Sequence, residues 1–346
     1  MDDRLDDPAK AIKGQSAGLF YGTGAYLLWG LFPLFFWLLR DTPPLEILAH
    51  RVLWSAIGMT AVLLIARPGQ RLRELLTNST ARNYLLLAAL VITINWGMYI
   101  YAVTTDRVVE ASLGYFINPL VTVLLGILVL GESLRRAQWL AMAIATVAVG
   151  IMTVDYGHPP WIALTLAFSF ACYGYAKKKA DMGAVVSLTF ETLSIAPLAI
   201  IYLQFLTPGA KNTFFDQGIQ HALLLVSTGV VTAVPLLLFG AAATRLSLTS
   251  LGILQYLGPV IQFVIGVWVL QEQMSALRWV GFALIWIALV IFTFEAIRQH
   301  RRTLLDAAQA LMIEDGYAAV TSRRVAARAG LKPPLVHYYF RTMDDL

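Results

Sequence analysis

Ten times between residues 18 and 297 the chain runs for about twenty residues with scarcely a charge, each run bounded by charges, proline or glycine. The runs fall near 18–39, 45–66, 83–104, 111–130, 137–154, 160–179, 185–206, 220–243, 248–270 and 276–297. A bilayer's hydrocarbon core is about 30 Å thick, which a helix of roughly 20 residues crosses. Inside it a backbone N–H or C=O finds no water, so a continuous helix is the simplest structure for such a run. The pattern predicts an all-α membrane protein with ten transmembrane helices. Composition agrees. Hydrophobic residues make up 58% of the chain and charged residues 14%, where a soluble domain carries about 25%. Mean hydropathy is +0.67.

A repeat organises the ten helices. An offset of 140 superimposes Pro119 on Pro259, Gly126 on Gly266, Val129-Leu130 on Val269-Leu270, Glu132 on Glu272 and Trp139 on Trp279. Slightly upstream, an offset of 138 aligns Arg107 with Arg245 and Ser112-Leu113-Gly114 with Ser250-Leu251-Gly252. The implied halves are 18–154 and 160–298, each of five helices. Five is odd, so a direct duplication enters the membrane upside down and the halves form an inverted pair. Such pairs hold a site near the midplane and expose it to either side in turn.

Lysine and arginine in the loops set the orientation. With a cytoplasmic N-terminus, inner segments carry Arg4, Lys10, Lys13; Arg67, Arg71, Arg73, Arg82; Arg135, Arg136; Lys177, Lys178, Lys179; Arg245; and Arg298, Arg301, Arg302, which is 16. The outer loops carry four: Arg40, Arg107, Lys211 and Arg278. Both termini are therefore expected in the cytoplasm. The net charge of +5 belongs to these loops rather than to a nucleic-acid surface along the whole chain. Residues 1–17 lack a clean basic n-region and cleavage site, and read as a cytoplasmic tail before a retained first helix. Cys172 is the single cysteine, so no intrachain disulfide is expected. The sequence has no metal-ligand spacing, nucleotide loop or catalytic triad. Neither a cofactor nor an enzymatic function is expected.

Ten spans in two five-helix halves, with Gly131-Glu132 and Gln271-Glu272 closing helices 4 and 9, resemble the EamA branch of the drug/metabolite transporter superfamily. The stretches Glu46-Ile-Leu-Ala-His-Arg-Val-Leu-Trp54, Glu110-Ala-Ser-Leu-Gly-Tyr-Phe-Ile-Asn-Pro119 and Ala243-Thr-Arg-Leu246 are more specifically similar to its RarD-type members, the chloramphenicol-sensitive permeases. The resemblance covers roughly residues 15–298. It implies a multi-pass permease of the inner (plasma) membrane for a small organic metabolite or drug, and names neither substrate nor direction.

Ionisable groups in apolar spans are functional candidates by default. Glu46, His50 and Arg51 open helix 2, with Glu46 and His50 one turn apart on one face. Two readings stand: Glu46 rests at the outer interface with Arg51 reaching back towards it, or the cluster belongs to a substrate or proton pathway. His50 has the side chain suited to proton coupling near neutral pH. Glu191, inside helix 7, corresponds roughly to Glu46 at an offset of 145, and needs a partner or a proton. Pro119 and Pro259 predict matched kinks, either purely structural or lining a cavity in which Asn118, Gln255 and Gln262 offer hydrogen bonds. Tyr115, Tyr256, Trp29 and Trp96 are candidate aromatic walls or interface anchors. Glu132 and Glu272 are expected to cap the turns of their own repeats, and Lys177-Lys178-Lys179 to anchor the inner face.

Charge density then changes. Residues 299–346 hold 12 Asp, Glu, Lys and Arg in 48 positions, against 35 in the preceding 298. Leu304, Leu305, Ala308, Leu311 and Met312 recur at helical spacing up to Asp315-Gly316. Thr321 is placed to N-cap a short helix carrying Val325-Ala326, Ala329-Gly330 makes a turn, and a third helix carries Leu335 to Phe340. The pattern Leu305-x-Ala307-Ala308, Gly316, Thr321, Val325-Ala326, Ala329-Gly330, Tyr338-Tyr339-Phe340 resembles the helix-turn-helix head of TetR-type repressors. The resemblance would put Lys332, His337 and Tyr338 at the major groove, and Arg323 and Arg324 near phosphates. Pro333-Pro334 depart from that family, and the chain ends before a dimerising domain. The head is the vestige of a gene-fusion or reading-frame accident, a device for tethering the membrane protein to DNA, or a protein-contact segment.

Overall fold

A computed structural model of the chain describes residues 8–66, 69–130, 135–206, 213–243, 245–246, 248–317, 320–330, 336 and 340. Its helices are α1 (Pro8–Trp37), α2 (Pro44–Ala66), α3 (Gly69–Thr77), α4 (Ser79–Thr104), α5 (Val108–Leu130), α6 (Arg136–Tyr156), α7 (Trp161–Ala180), α8 (Ala184–Ile201), α9 (Thr213–Asp216), α10 (Gly218–Ala243), α11 (Leu248–Leu254), α12 (Leu257–Val264), α13 (Ala276–Asp315) and α14 (Ser322–Arg328). Among the described residues there is no strand.

Among the described residues nine spans are long and apolar enough to cross a membrane: within α1, then α2, α4, α5, α6, α8 with its continuation to Phe205, α10, the broken helix Ser250–Val269, and α13. Helix α7, of 20 residues, ends in Lys177, Lys178 and Lys179, yet Ile162, Ala163, Leu166 and Ala167 on it are fully buried. It packs on α4 and α5 and so lies inside the bundle. The short α3 was not expected. Its Leu75 is buried with Leu85, Ala180 and Val186.

The packing pattern has the symmetry of two exchanged halves. α1 packs on α10 and, correspondingly, α7 on α4; α1 also packs on α12, and α7 on α5. α2 meets α8, α5 meets α12 and α6 meets α13, each helix against its own counterpart. Consecutive spans alternate in direction, so Arg40, Arg107 and Arg278 gather at one end (the sparse end). Arg71, Arg73, Arg82, Arg135, Arg136, Lys177 to Lys179 and Arg245 gather at the other (the basic end). Burial is uneven along the axis. Buried residues of α2 run from Glu46 to Met59 and none follow; those of α5 stop at Val121. Both helices lose their packing toward the basic end.

One expectation is corrected, and the structure adds two features that the sequence pattern does not address. The proline kinks do not match: α5 continues through Pro119, whereas the ninth span breaks at Gln255-Tyr256 into α11 and α12. Both prolines lack an N–H, but Gly258 precedes Pro259, and glycine costs a helix about 1 kcal/mol relative to alanine. Asn118, before Pro119, instead braces α5 by donating to Ala167 O at 3.0 Å. Second, no break separates the tenth span from the tail: α13 is one helix of 40 residues. Nothing between Gly281 and Gly316 is glycine or proline, so the helix proceeds until Gly316, whose φ is 81°. Third, the described residues include two π-type turns, Tyr202–Leu206 and Ile265–Val269, that periodicity does not reveal.

The halves are held close by glycines. A Cβ on Gly229 would lie 2.5 Å from the backbone carbon of Trp54, and one on Gly114 would lie 2.7 Å from Ala163 O. Small residues at helix crossings let backbones approach in lipid, where no hydrophobic effect drives association. Overpacking such a contact costs about 1–3 kcal/mol. Gly229→Leu should therefore lower the melting temperature of the detergent-purified protein. Gly252→Ala, with nothing within 4 Å of the added atom, should leave it unchanged or raise it.

Candidate functional site

Arg51 is the eighth residue of α2, roughly 10 Å along the axis from Pro44 at 1.5 Å per residue. It is 3% exposed. Its Nε donates to Thr232 Oγ1 of α10 at 2.9 Å. The guanidinium carbon lies 4.4 Å from the Trp96 ring centroid, 5.3 Å from Phe36 and 5.6 Å from Phe32. Phe32 and Phe36 are one turn apart on α1; Asn95, Trp96 and Tyr99 share α4. Tyr115 of α5 donates to Asn95 Oδ1 at 3.2 Å, its ring 5.9 Å from that of Tyr99. Asn95 is fixed by donating to Leu166 O at 3.0 Å and Ser169 Oγ at 2.9 Å on α7. The Tyr99 hydroxyl is buried without a hydrogen-bond partner. Helices α1, α2, α4, α5, α7 and α10, drawn from both halves, thus gather one cation, aromatic walls and hydroxyl groups in the interior. Arg51 and the aromatics Trp96 and Tyr115 were legible in the sequence. Asn95, Tyr99, Thr232, Phe32 and Phe36 were missed, and only Asn95, a polar residue in an apolar run, carried a signal.

Glu46 and His50 lie toward the sparse end and do not join Arg51. Glu46 Oε1 accepts from Thr213 N at 2.8 Å and Thr213 Oγ1 at 2.9 Å, so the carboxylate caps α9 rather than pairing with the arginine. Thr213 Oγ1 also meets His221 Nε2 at 2.9 Å, and His221 meets Thr42 Oγ1 at 3.3 Å. The His50 ring stacks on Phe214, centroids 4.9 Å apart, and its Nε2 is buried without a partner.

Glu191 has its partners. Lys177 Nζ donates to it at 2.8 Å and Tyr173 OH at 3.2 Å, and Lys177 also bonds Ser187. Lys177 is therefore an internal counter-ion as well as an end charge. Helices α2 and α8 start 140 residues apart, the offset that relates the two prolines. The structural counterpart of Glu191 is then Arg51, not Glu46: each is eighth in its helix.

The amides expected to line a cavity are engaged. Asn118 holds α7, as above. Gln262 Nε2 donates to Trp29 O at 3.0 Å, joining α12 to α1, while its Oε1 is buried without a partner. Gln255 and Pro259 flank the helix break. Trp29 packs with Tyr26 and Phe239, and Tyr256 packs against the α5–α6–α13 core; neither meets Arg51.

At the sparse end Glu272 reaches across the halves. Its Oε1 accepts from Val108 N at 2.5 Å and its Oε2 from Val109 N at 3.0 Å, so it caps α5 rather than its own turn. Glu110 accepts from Ile162 N at 3.1 Å and pairs with Arg107 at 2.5 Å; Arg278 pairs with Asp155 at 2.6 Å. Asp106, Arg107, Glu110, Glu272 and Arg278 border a cleft of about 320 Å³. Glu132 lies outside the described residues.

In the tail, Leu304, Ala307, Ala308 and Leu311 of α13 form a core with Val325, Ala326, Val336 and Phe340. Thr321 Oγ1 caps α14 by accepting from Arg324 N, and Gly330 has the expected positive φ, 65°. Arg324 pairs with Asp315 and Arg328 with Glu314, while Arg323 is exposed. Lys332, His337 and Tyr338 lie outside the described residues.

Comparison with known proteins agrees with this geometry. Residues 16–154 match the model of the EamA-like transporter family, and residues 304–346 that of the bacterial regulatory proteins of the tetR family. The chain is 51% identical over 294 residues to Protein RarD of Streptomyces exfoliatus, covering 85% of this chain and 93% of that one. It is 42% identical over 286 residues to Protein RarD of Escherichia coli strain K12, covering 83% and 97%. To the uncharacterized transporter YojE of Bacillus subtilis strain 168 it is 44% identical over 288 residues, covering 82% and 96%. A crystal structure of another protein, 21% identical, superposes with a TM-score of 0.54 over 82% of this chain and 99% of that one, a likeness of fold.

Burial pushes the Glu272 carboxyl from the ordinary 4.5 up to about 7, against the pull of the two backbone donors, with Asp106 adding to the rise and Arg278 opposing it. A raised carboxyl pKa favours the folded form below its unfolded value, and that contribution is lost as pH rises through the folded value. Melting temperature in detergent should thus decline between pH 5 and 8, and Glu272→Gln should flatten this part of the profile. An unchanged slope would refute the assignment, since Arg107, Glu110, Asp155 and Arg278 nearby stay in place.

Proposed function

The chain belongs to the RarD group of EamA-like transporters, multi-pass membrane proteins, and from that premise we propose that it moves a small organic molecule by alternating access. The observation that carries the reading is the interior cluster around Arg51, built by helices of both halves and sealed at the sparse end. There Glu46, Glu110 and Glu272 each cap a helix start on another segment. Ten spans, with residues 18–154 and 160–298 as the halves, accommodate this arrangement: α7 serves as the sixth. The cation-poor end faces outward and both termini face the cytoplasm, by the positive-inside rule. The structure then corresponds to a state closed to the outside, its α2 and α5 loosely packed toward the cytoplasm.

In this reading Arg51, with Asn95, Tyr99 and Trp96, faces the substrate. Pro259 and Gly258 give the ninth span a joint about which α11 and α12 bend, beside Gln255 and Gln262. Pro119 and Asn118 keep the fourth span rigid. Glu46 and His50 belong to the outer closure.

Residues 299–346 constitute a TetR-like head. The tetR-family match favours a second reading, a membrane-tethered DNA-binding regulator in which Arg323 and Arg324 approach phosphates, and Lys332, His337 and Tyr338 the bases. Removing residues 316–346 separates the two: transport should persist, and promoter occupancy in the cell should not change.

Gating is tested with Ser55→Cys, one turn beyond Arg51 on the same face of α2, in a Cys172→Ser background. An impermeant maleimide should label it from either membrane face. Adding Val109→Cys and Gly266→Cys, neighbouring positions where a Cβ on Gly266 would lie 2.8 Å from Val109 Cγ2, and oxidising the pair should leave labelling from the cytoplasmic face alone. Labelling from the outside through the closed disulfide would overturn alternating access.

A further inference from the structure

Resting on the transporter reading of this cluster, we propose that the transported molecule is an organic monoanion, a carboxylate with an apolar or aromatic body, whose charge Arg51 neutralises. Arg51 sits on the membrane-spanning helix α2, 3% exposed, and among the described residues its one hydrogen bond is the Nε bond to Thr232. Among the described residues no carboxylate pairs with it. Glu46 turns its Oε1 to Thr213 and keeps a buried, unpartnered Oε2, without an ion pair to Arg51; Glu110 holds Arg107 and Ile162, and Glu191 holds Lys177.

A buried ion without a counter-ion is costly, and the faces of Trp96, Phe36 and Phe32 compensate only in part. The contrast with Glu191 sharpens the point. The matching position of the other half carries a buried charge with an internal counter-ion; this one does not. The terminal nitrogens of Arg51 form a planar fork with free donors, and that fork matches a carboxylate in two-point contact. The unpartnered Tyr99 hydroxyl, within electrostatic reach of the guanidinium, supplies a further donor.

Charge balance selects among anions. One guanidinium neutralises one negative charge. A phosphate monoester carries nearly two at neutral pH, which would leave the second unpaired in a low-dielectric interior. A zwitterion would bring an ammonium group beside an existing cation. The ring walls complete the selection, since Trp96, Phe32, Phe36 and Tyr99 present apolar faces to the remainder of the molecule.

The test uses the purified full chain in nanodiscs, with tryptophan fluorescence and thermal shift read against benzoate, phenylacetate and 3-methylbutanoate. Phenyl phosphate, benzamide, benzylamine and phenylalanine serve as contrasts. At least one monocarboxylate should bind saturably, at least tenfold tighter than its uncharged or dianionic analogue. Arg51→Met should melt no lower than the parent while losing carboxylate binding by tenfold or more. Arg51→Lys should retain weakened binding. Benzamide binding as well as benzoate, no saturable carboxylate binding, or carboxylate affinity unchanged in Arg51→Met would each overturn the proposal. Should Arg51→Met fail to fold, the comparison of Arg51→Lys with the parent decides it. In proteoliposomes, anion binding without uptake would count against transport and leave the anion site standing. Uptake of neutral analogues without anion binding would do the reverse.

Discussion

At the sparse end, three helices begin under carboxylates that belong to other segments. Glu46 of α2 caps α9, Glu110 of α5 caps α7, and Glu272 caps α5. The first amides of any helix lack an internal acceptor, and near hydrocarbon no water replaces it. A carboxylate there satisfies the amides and opposes the helix dipole. Because each donor of the charge lies on a distant segment, the same bonds that complete the helices also close one end of the bundle. The packing of α2 and α5 follows this closure: tight on that side, looser on the other.

The second organising element is the pseudo-twofold relation, and its value lies in where it fails. Backbone positions are exchanged faithfully enough for α6 to meet α13 and α2 to meet α8. Side chains are not. Glu191 keeps Lys177 beside it, while Arg51 at the matching place keeps aromatic rings. α5 passes through its proline, while the ninth span breaks at its own. A strictly symmetric molecule would hold two equivalent half-sites. This one concentrates a buried cation without a described counter-ion in the first half and a helix break in the second, which under the proposed mechanism would give recognition to one half and bending to the other.

The spans, their inversion and the tail's turns were legible in the sequence because each rests on a local quantity: a run of apolar residues, the parity of a count, a glycine at a positive φ. What escaped was long-range. Glu46 and Arg51, five residues apart, look like partners, but Arg51 points to α10 and Glu46 to α9, and only tertiary packing distinguishes these choices. The role of Glu272 escaped for the same reason, its acceptors being satisfied 163 residues upstream. Tyr99 and Phe32 are ordinary apolar-span residues until the fold sets them around a charge. The equivalence of Arg51 with Glu191 needed the true helix starts, since an error of five residues in register had matched Glu46 instead.

The tail follows from what α13 lacks. Without a glycine or proline between Gly281 and Gly316, its 40 residues extend about 60 Å at 1.5 Å per residue, twice the thickness of the hydrocarbon core. The distal turns carry Leu304, Ala307, Ala308 and Leu311 beyond that thickness, where Val325 and Ala326 of α14, with Val336 and Phe340, cover them. The head therefore has no linker: its first helix is the continuation of the last span. A rigid joint of this kind transmits any rotation of α13 to the head, and equally prevents the head from searching space independently. Nucleic acid would have to approach an anionic membrane surface to be bound, a repulsion that a flexible tether would have relieved.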